Sequence, residues 1–430
     1  MKRHLLAVAE RIHQRLFRTP MSEEMRTFVG NLGIFGLATL ITGVILFIVN
    51  VLAGRILGPD EYGKYALVVS LGQFFIIPMN FGLTTAIVKY TSSKKDIDPI
   101  IRTGAIAIFL LTFVSVIIAF ILRPILQSVL AINQTVFIFT LAYSVALVMK
   151  YLAESVLRGL HAFKKQSILE VISTLIIAGA FTMLWKFFGV ESFSLYIVAI
   201  LIGFSTYALV LFWHERRRFL PFRLERPVLK LLFMYGLFSI IGSVAGFLLG
   251  NIDRLMIHWY LNDAQVGIYS AYASASVAIL GQLMLIFLNV FFPAVARATD
   301  HRAIHRKFLR IYLVASIPLF FISALIIWLV ISLFGSNYPL QWSLIWIFAL
   351  NAVIYVGSTI QWWLIASTGV GGAKYTSTNG IVAGVLNIGL NFIFIRWFGI
   401  TGAVIATILA SCYFFLMTEV YFSRYYVKQQ

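Results

Sequence analysis

Long apolar blocks separated by short clusters of charge make up this chain. No lysine, arginine, aspartate or glutamate lies between Arg26 and Arg55 or between Lys64 and Lys89, and later blocks repeat the pattern. A helix needs about 20 apolar residues to cross about 30 Å of hydrocarbon, and a segment in lipid must satisfy its backbone groups internally. The pattern therefore predicts twelve membrane-spanning helices, which begin near residues 28, 64, 102, 133, 168, 192, 230, 264, 309, 340, 375 and 398.

The chain also repeats itself. Segment 52–66, LAGRILGPDEYGKYA, carries a turn signal at Gly58-Pro59-Asp60, where glycine frees the backbone and proline fixes a torsion. Segment 261–270, LNDAQVGIYS, repeats its pattern at an offset of 204, which equates Gly63 with Gly267. A second set of matches in later spans has an offset of 210. Two sets at nearly one offset predict two similar halves of six helices each.

Composition places both halves in a membrane. Hydrophobic residues make up 60% of the chain and charged residues 12%, too little polar surface for a soluble globule. In the twelve-span layout, 27 of the 34 lysines and arginines fall on one side. The positive-inside rule then puts both termini in the cytoplasm, in a multi-pass protein of the cell (inner) membrane. The net charge of +18 follows from this topology, with membrane lipid as partner and no nucleic acid.

These patterns divide the chain into five parts. Residues 1–27 form a basic arm, which is either an amphipathic helix on the inner leaflet or a disordered segment. Residues 28–213 form the N-terminal six-helix bundle, 214–229 a cytoplasmic linker, 230–422 the C-terminal bundle and 423–430 a cytoplasmic tail.

Sequence motifs of enzymes are missing. The chain has no phosphate-binding glycine loop, no HExxH and no nucleophile elbow, and its hydrophilic connections are short. Cys412 is its single cysteine, so no disulfide or thiol metal site forms within the chain. We therefore predict no catalytic residue, no metal site and no cofactor.

Four ionisable residues at membrane depth are the main candidates for function, because burying a charge there is costly. Lys150 and Glu154 lie four apart on one helical face. They form either a cationic site for an anionic headgroup, in which Glu154 tunes the charge or carries a proton, or a self-neutralising ion pair. Asp253 and Arg254 are adjacent. Arg254 could bind a phosphate and Asp253 could couple transport to a proton or cation, or both could anchor helix seven to helix eight.

Uncharged polar residues give a second set of candidates. Two pairs with a spacing of seven residues share a helical face and either bond sugar hydroxyls in a wet cavity or join helices: Gln73 with Asn80, and Gln282 with Asn289. Asn387 and Asn391 have the same two interpretations. A ladder of small residues predicts close packing or a bend in helix seven: Gly242, Gly246 and Gly250.

Two stretches resemble a known family. AGRILGPDEYGKYALVVSL with NFGLTTAIVKY, and GNIDRLMIHWYLNDAQVGIYSAYASA, are similar to the polysaccharide biosynthesis membrane proteins, the Wzx-like lipid-linked oligosaccharide flippases. That superfamily also includes lipid II flippases and multidrug and toxin exporters. The resemblance implies an all-α integral membrane protein with twelve transmembrane helices in two six-helix parallel repeats around a central cavity. It also implies that Arg55, Lys150, Asp253 and Arg254 line a charged cavity.

The expected function is translocation of a polyprenyl-pyrophosphate-linked oligosaccharide, a surface polysaccharide precursor, to the outer leaflet. The protein would act as a monomer alongside polysaccharide polymerase and ligase machinery. Three alternatives stay open: an ion-coupled exporter of small organic molecules, a membrane enzyme of glycan assembly, and a scaffold that recruits synthesis enzymes.

Overall fold

The computed structural model of the protein describes residues 23–93, 96–189, 191–296 and 300–425, with side chains from residue 36 onward except Tyr425 and most of 277–296. All regular structure in these residues is helical. The predicted arm at 1–27 lies largely outside them, as does most of the predicted tail. The helices are α1 (Glu23–Asn80), α2 (Leu83–Ser93), α3 (Asp98–Ile121), α4 (Arg123–Leu130), α5 (Gln134–Gly159), α6 (Phe163–Phe188), α7 (Phe193–His214), α8 (Arg216–Phe219), α9 (Arg226–Gly250), α10 (Ile252–Tyr260), α11 (Asp263–Ala296), α12 (His301–Phe334), α13 (Trp342–Ala366), α14 (Val370–Phe398) and α15 (Ile400–Val420).

Ten helical segments among the described residues are long and apolar enough to cross a membrane, so the chain is a multi-pass membrane protein. The first of them covers residues 36–80, and α1 turns back on itself at Gly58, whose φ of +70° is one that glycine adopts without strain. This is the turn that Gly58-Pro59-Asp60 predicts. Large apolar side chains such as Ile121 and Val314 are exposed on the outer surface of the helices, as expected of a surface in contact with lipid.

Successive long helices run in alternating directions and so define two ends of the molecule. We name the end at which α2, α5 and α7 finish the basic end, and the opposite end, with the turns at Gly58 and Gly399, the far end. Residues up to the end of α7 form the N-half, and residues from α9 onward form the C-half.

The two halves meet tightly at the far end. A Cβ on Gly63 of α1 would overlap the carbonyl oxygen of Asp263, and a Cβ on Gly267 of α11 would overlap that of Pro59. The Tyr338 hydroxyl donates to the Gly54 carbonyl at 3.0 Å. These contacts close the crevice between the halves at this end.

A second far-end contact involves one histidine. His258 Nδ1 lies 2.6 Å from Asp263 Oδ1, and its Nε2 lies 3.1 Å from the carbonyl oxygen of Ala131, in the N-half. Ala131 follows α4, an eight-residue helix with no buried side chain.

Helix α9 begins the C-half but also packs against the N-half. A Cβ on Gly82, at the bend between α1 and α2, would overlap the Gly236 carbonyl oxygen. Nearer the basic end, the Lys89 ammonium lies 4.1 Å from the ring centroid of Tyr235. The basic-end part of α9 therefore contacts α2.

The linker between the halves is docked by ion pairs. Glu215 pairs with Arg218 (2.9 Å) and Lys165 (3.2 Å), and Arg218 also pairs with Asp98 (2.7 Å). Partial burial by itself raises the pKa of Glu215, but the hydrogen bonds and charges of Arg218 and Lys165 outweigh it, and the pKa lies below its ordinary value. Helix α9 starts at Arg226, four residues before the predicted span, because Pro227 suits the first turn of a helix.

Candidate functional site

A cavity of about 510 Å³ lies between the two halves, beneath the far-end contacts. We name it the central cavity. Asn50 on its wall is eight residues from Gly58, and Arg254 is six residues from the end of α10, which places the cavity about 9–12 Å inside the far end. Its polar lining comes from four helices of the C-half and one of the N-half and includes Asn50, Asp253, Arg254, Ser274, Asn351 and Thr407.

A break in the seventh predicted span positions the two charges. Helix α9 ends at Gly250 and α10 begins at Ile252, and Asn251 between them has φ −131° and ψ −19°. Asp253 and Arg254 therefore lie in the first turn of a new helix. Adjacent residues on a helix point about 100° apart, so these two side chains reach different neighbours.

Asp253 is buried, with 4% of its surface exposed, and is surrounded by donors. Asn391 Nδ2 donates to its Oδ1 at 2.8 Å, and the hydroxyls of Tyr269 and Thr407 each donate to its Oδ2 at 2.6 Å. Three hydrogen bonds from neutral donors keep the carboxylate in place, and no cation among the described residues forms a salt bridge with it. Asn391 Oδ1 has no partner among the described atoms, while its Nδ2 is the amide atom turned toward the carboxylate.

Arg254 presents its charge to the central cavity. Its Nε donates to Ser270 Oγ at 3.1 Å and its Nη1 to the Gly250 carbonyl at 3.0 Å, and its guanidinium lies 5.8 Å from the ring centroid of Tyr269. Among the described residues, no carboxylate forms an ion pair with it. A guanidinium has five N–H donors, so Arg254 retains donors and charge for an anion.

The small residues of α9 leave space in the wall instead of filling it. No described atom outside the helix lies within 4 Å of a Cβ built on Gly242, Gly246 or Gly250, so these glycines do not pack closely on the described neighbours. Gly250 lines the central cavity and directly precedes the break at Asn251; bending of this helix during transport stays a prediction.

Lys150 and Glu154 form an ion pair at 3.0 Å, as their spacing predicts. Glu170 of α6 is a second partner of Lys150, at 2.9 Å, and Arg158 is a second partner of Glu154, at 2.8 Å. The Lys150 ammonium also lies 5.1 Å from the ring centroid of Phe204. Lys150 is thus enclosed within the N-half, apart from Asp253 and Arg254.

The other predicted residues lie in several places. Arg55 is exposed at the far end beside Gly335. Gln73 faces the Tyr151 hydroxyl, and Asn80 bonds the Thr84 hydroxyl and backbone amide at the bend before α2. The side chains of Gln282 and Asn289 lie outside the described residues.

Sequence reasoning missed two partners of Asp253. Tyr269 lies in segment 261–270, which indicated only the internal repeat, and Thr407 lies in an apolar run with no distinctive spacing. Asn50 was also missed, although an asparagine near the end of the apolar first span could have revealed it.

Residues 28–299 match the model of a family described as "Polysaccharide biosynthesis protein". The chain belongs to this family. No curated protein matches the chain.

Solved structures share the fold of this family member. Lipid II flippase MurJ in an inward closed conformation aligns with 89% of this chain and 86% of its own, with a TM-score of 0.67 and 15% identity. The inward-facing conformation of a multidrug resistance MATE family transporter of the MOP superfamily covers 90% of this chain and 98% of its own, with a TM-score of 0.65 and 14% identity. An outward-facing conformation of such a transporter covers 92% and 96%, with a TM-score of 0.57 and 15% identity. The chain therefore has the fold of MOP superfamily transporters.

Proposed function

We propose that this chain is a flippase that moves a polyprenyl-pyrophosphate-linked oligosaccharide from the cytoplasmic to the outer leaflet by alternating access. Family membership supports a role in polysaccharide biosynthesis. The fold supports transport, because its neighbours include a lipid II flippase and multidrug transporters.

The observation that carries the proposal is Arg254 in the central cavity. A pyrophosphate must leave water to cross the membrane, and this desolvation is costly unless a cation replaces the lost hydration. Arg254 supplies a positive charge with no carboxylate partner among the described residues. The amides of Asn50 and Asn351 and the hydroxyl of Ser274 line the same cavity and would bond sugar hydroxyls.

The layout that we propose has twelve spans. The bent helix α1 crosses twice and α11 crosses once, which adds two spans to the ten segments found by length and composition. The basic end would face the cytoplasm. The closed far end then corresponds to an inward-facing state, and rocking of the halves would open it.

Asp253 is our candidate for ion coupling. Its carboxylate lines the central cavity with Thr407. A proton or a monovalent cation bound there would change the charge beside Arg254 and so change anion binding. Membrane potential adds a driving force of about 2.3 kcal/mol per charge per 100 mV for outward movement of an anion.

Export of small organic cations is the second candidate, and Asp253 in the cavity wall is the observation that favours it. The two proposals differ in which charge matters. A flippase needs Arg254, whereas a cation exporter needs Asp253 and tolerates loss of Arg254.

The test is depletion of the protein in its source cells, followed by measurement of lipid-linked oligosaccharide on each leaflet and of surface polysaccharide. The proposed function predicts accumulation on the cytoplasmic leaflet and loss of surface polymer, restored by the wild type and by R254K but not by R254Q. A normal pool and normal surface polymer, with no redundant flippase, would refute it.

A further inference from the structure

A second cavity, of about 430 Å³, lies in the N-half near the basic end. We name it the basic-end cavity. Its polar lining comes from α2 and from the last turns of α5: Thr84, Thr85, Tyr151, Glu154, Ser155 and Arg158. Arg158 is one residue from the end of α5 at Gly159. The outer part of this cavity, at Arg158, is therefore at the depth where a basic-end leaflet places its headgroups, and Tyr151 lies about 12 Å deeper than the end of α5.

A chain of four charges ends in this cavity. Glu170, Lys150, Glu154 and Arg158 are linked in that order by contacts of 2.9, 3.0 and 2.8 Å. The two middle members, Lys150 and Glu154, have side chains that are 11% and 10% exposed, whereas the side chain of Arg158 is 50% exposed. The outermost member is thus a cation that solvent or a ligand can reach.

Arg158 is only partly satisfied by this chain. Its guanidinium has five N–H donors, and one hydrogen bond is formed in the described part of the chain, from Nη2 to Glu154 Oε2. Glu154 also neutralises Lys150, so one carboxylate is shared by two cations. Glu170 also pairs with Lys150, so the four charges balance, and what Arg158 retains for a ligand is its spare N–H donors.

The rest of the polar wall supplies hydroxyl groups. Thr85, Tyr151 and Ser155 line the basic-end cavity beside Arg158. A guanidinium with several hydroxyls matches the oxygens of a phosphate, which accepts several charge-assisted hydrogen bonds. A ligand there would compete with Glu154 for the guanidinium.

We propose that the basic-end cavity binds the phosphate group of a lipid through Arg158, and that Glu154 weakens this binding by competing for the guanidinium. Two sources share this chemistry: the pyrophosphate of a polyprenyl carrier and the headgroup of an anionic phospholipid. The inference rests on the proposed function where the ligand is the cargo. The basic-end cavity would then bind the pyrophosphate first, before it reaches Arg254. No described carboxylate competes with a ligand for the guanidinium of Arg254.

The test measures equilibrium binding to the purified full-length protein in phosphatidylcholine nanodiscs. The probes are farnesyl pyrophosphate and dihexanoyl phosphatidylglycerol, titrated by calorimetry. We expect R158Q to weaken binding about tenfold or more and E154Q to strengthen it, because a gain of affinity cannot come from misfolding. In R158Q the further change E154Q should have no effect. The matched control is R306Q, which removes an exposed positive charge from the basic end of the C-half and should bind as the wild type does.

The outcomes distinguish the two sources of the phosphate group, and they distinguish this inference from the proposed function. Sensitivity of the farnesyl probe alone to R158Q and E154Q supports a cargo entrance, and sensitivity of phosphatidylglycerol alone supports a phospholipid site. Equal affinity of the wild type, R158Q and E154Q for both probes overturns the inference. Loss of farnesyl pyrophosphate binding in R254Q, with neither probe sensitive to R158Q, also overturns it, while leaving the proposed function intact.

Discussion

Gly63 and Gly267 cross at the far end with their backbones in direct contact. A Cβ on either residue would overlap the main chain of the opposite half, at the carbonyl oxygens of Asp263 and Pro59. The offset of 204 residues equates these two glycines. Equivalent positions of the two halves thus contact each other, and neither can carry a side chain while the far end is closed.

G63A and G267A should each prevent the far end from closing and shift the protein toward an open far end. A spin-label pair at Ser128 and Asn262, both exposed at that end on opposite halves, would report a longer distance in either variant, measured in a C412S background. The control is G179A in α6, where a Cβ meets no described atom within 4 Å. An unchanged distance in both far-end variants would show that the contact does not limit closure.

D253N should abolish stabilisation of the protein by the coupling ion, because the amide keeps the shape of the carboxylate but lacks its charge. Thermal unfolding would be measured in Na⁺, in K⁺ and across pH. A bound cation adds about 2.7 kcal/mol at a hundredfold excess over its Kd, which the wild type would show and D253N would lose. D96N, at an exposed loop position, is the control. Equal ion responses of the wild type and D253N would exclude Asp253 as the coupling site.

The contacts of His258 predict that closure of the far end depends on pH. Its two ring nitrogens face the carboxylate of Asp263 and the carbonyl oxygen of Ala131, and both can be bonded only if both nitrogens carry a proton. The closed far end should therefore be favoured at low pH and weakened as the imidazolium deprotonates. The spin-label distance between Ser128 and Asn262 would lengthen as the pH rises from 5 to 9.

H258Q should remove that pH dependence, since glutamine does not titrate. H161Q, at an exposed position of the basic end, should retain it. A pH response that survives in H258Q would assign the titration to another group.

Glu215 should contribute to the free energy of unfolding in a way that depends on pH. Its pKa is lowered in the folded protein from an ordinary value of 4.5, so its contribution is complete above that value and is lost as the pH falls through the lowered pKa. The pairs of Glu215 are partly exposed, which limits the effect to about 1 kcal/mol or less. The melting temperature of E215Q should fall less steeply than that of the wild type below pH 4.5. E191Q, at an exposed far-end residue, should behave as the wild type.

The sequence predicted contacts between side chains of one helix and missed contacts between side chains of different helices. The spacing of Lys150 and Glu154 predicted their ion pair, because residues four apart share a face. Glu170 and Thr407 come from other helices, and spacing along the chain carries no information about which helices are neighbours. The glycines of α9 illustrate the same limit: a ladder of small residues shows where side chains are missing, not what lies opposite.

The break at Asn251 has a mechanical consequence. Near the basic end α9 is held against α2 by Gly82, Gly236 and the stacking of Lys89 on Tyr235, while beyond the break Asp253 is tied to α14 and α15. The first span of the C-half, α9 with α10, is therefore held to the N-half near the basic end and to the C-half beyond the break. Any rotation of one half must either separate α9 from α2 or bend the chain at Asn251, where the helix is interrupted. This position directly adjoins the two charges of the central cavity. The break at Asn251 and the two charges of the central cavity thus lie within one turn of helix, so binding of a charged ligand there acts directly on the point at which the helix can bend.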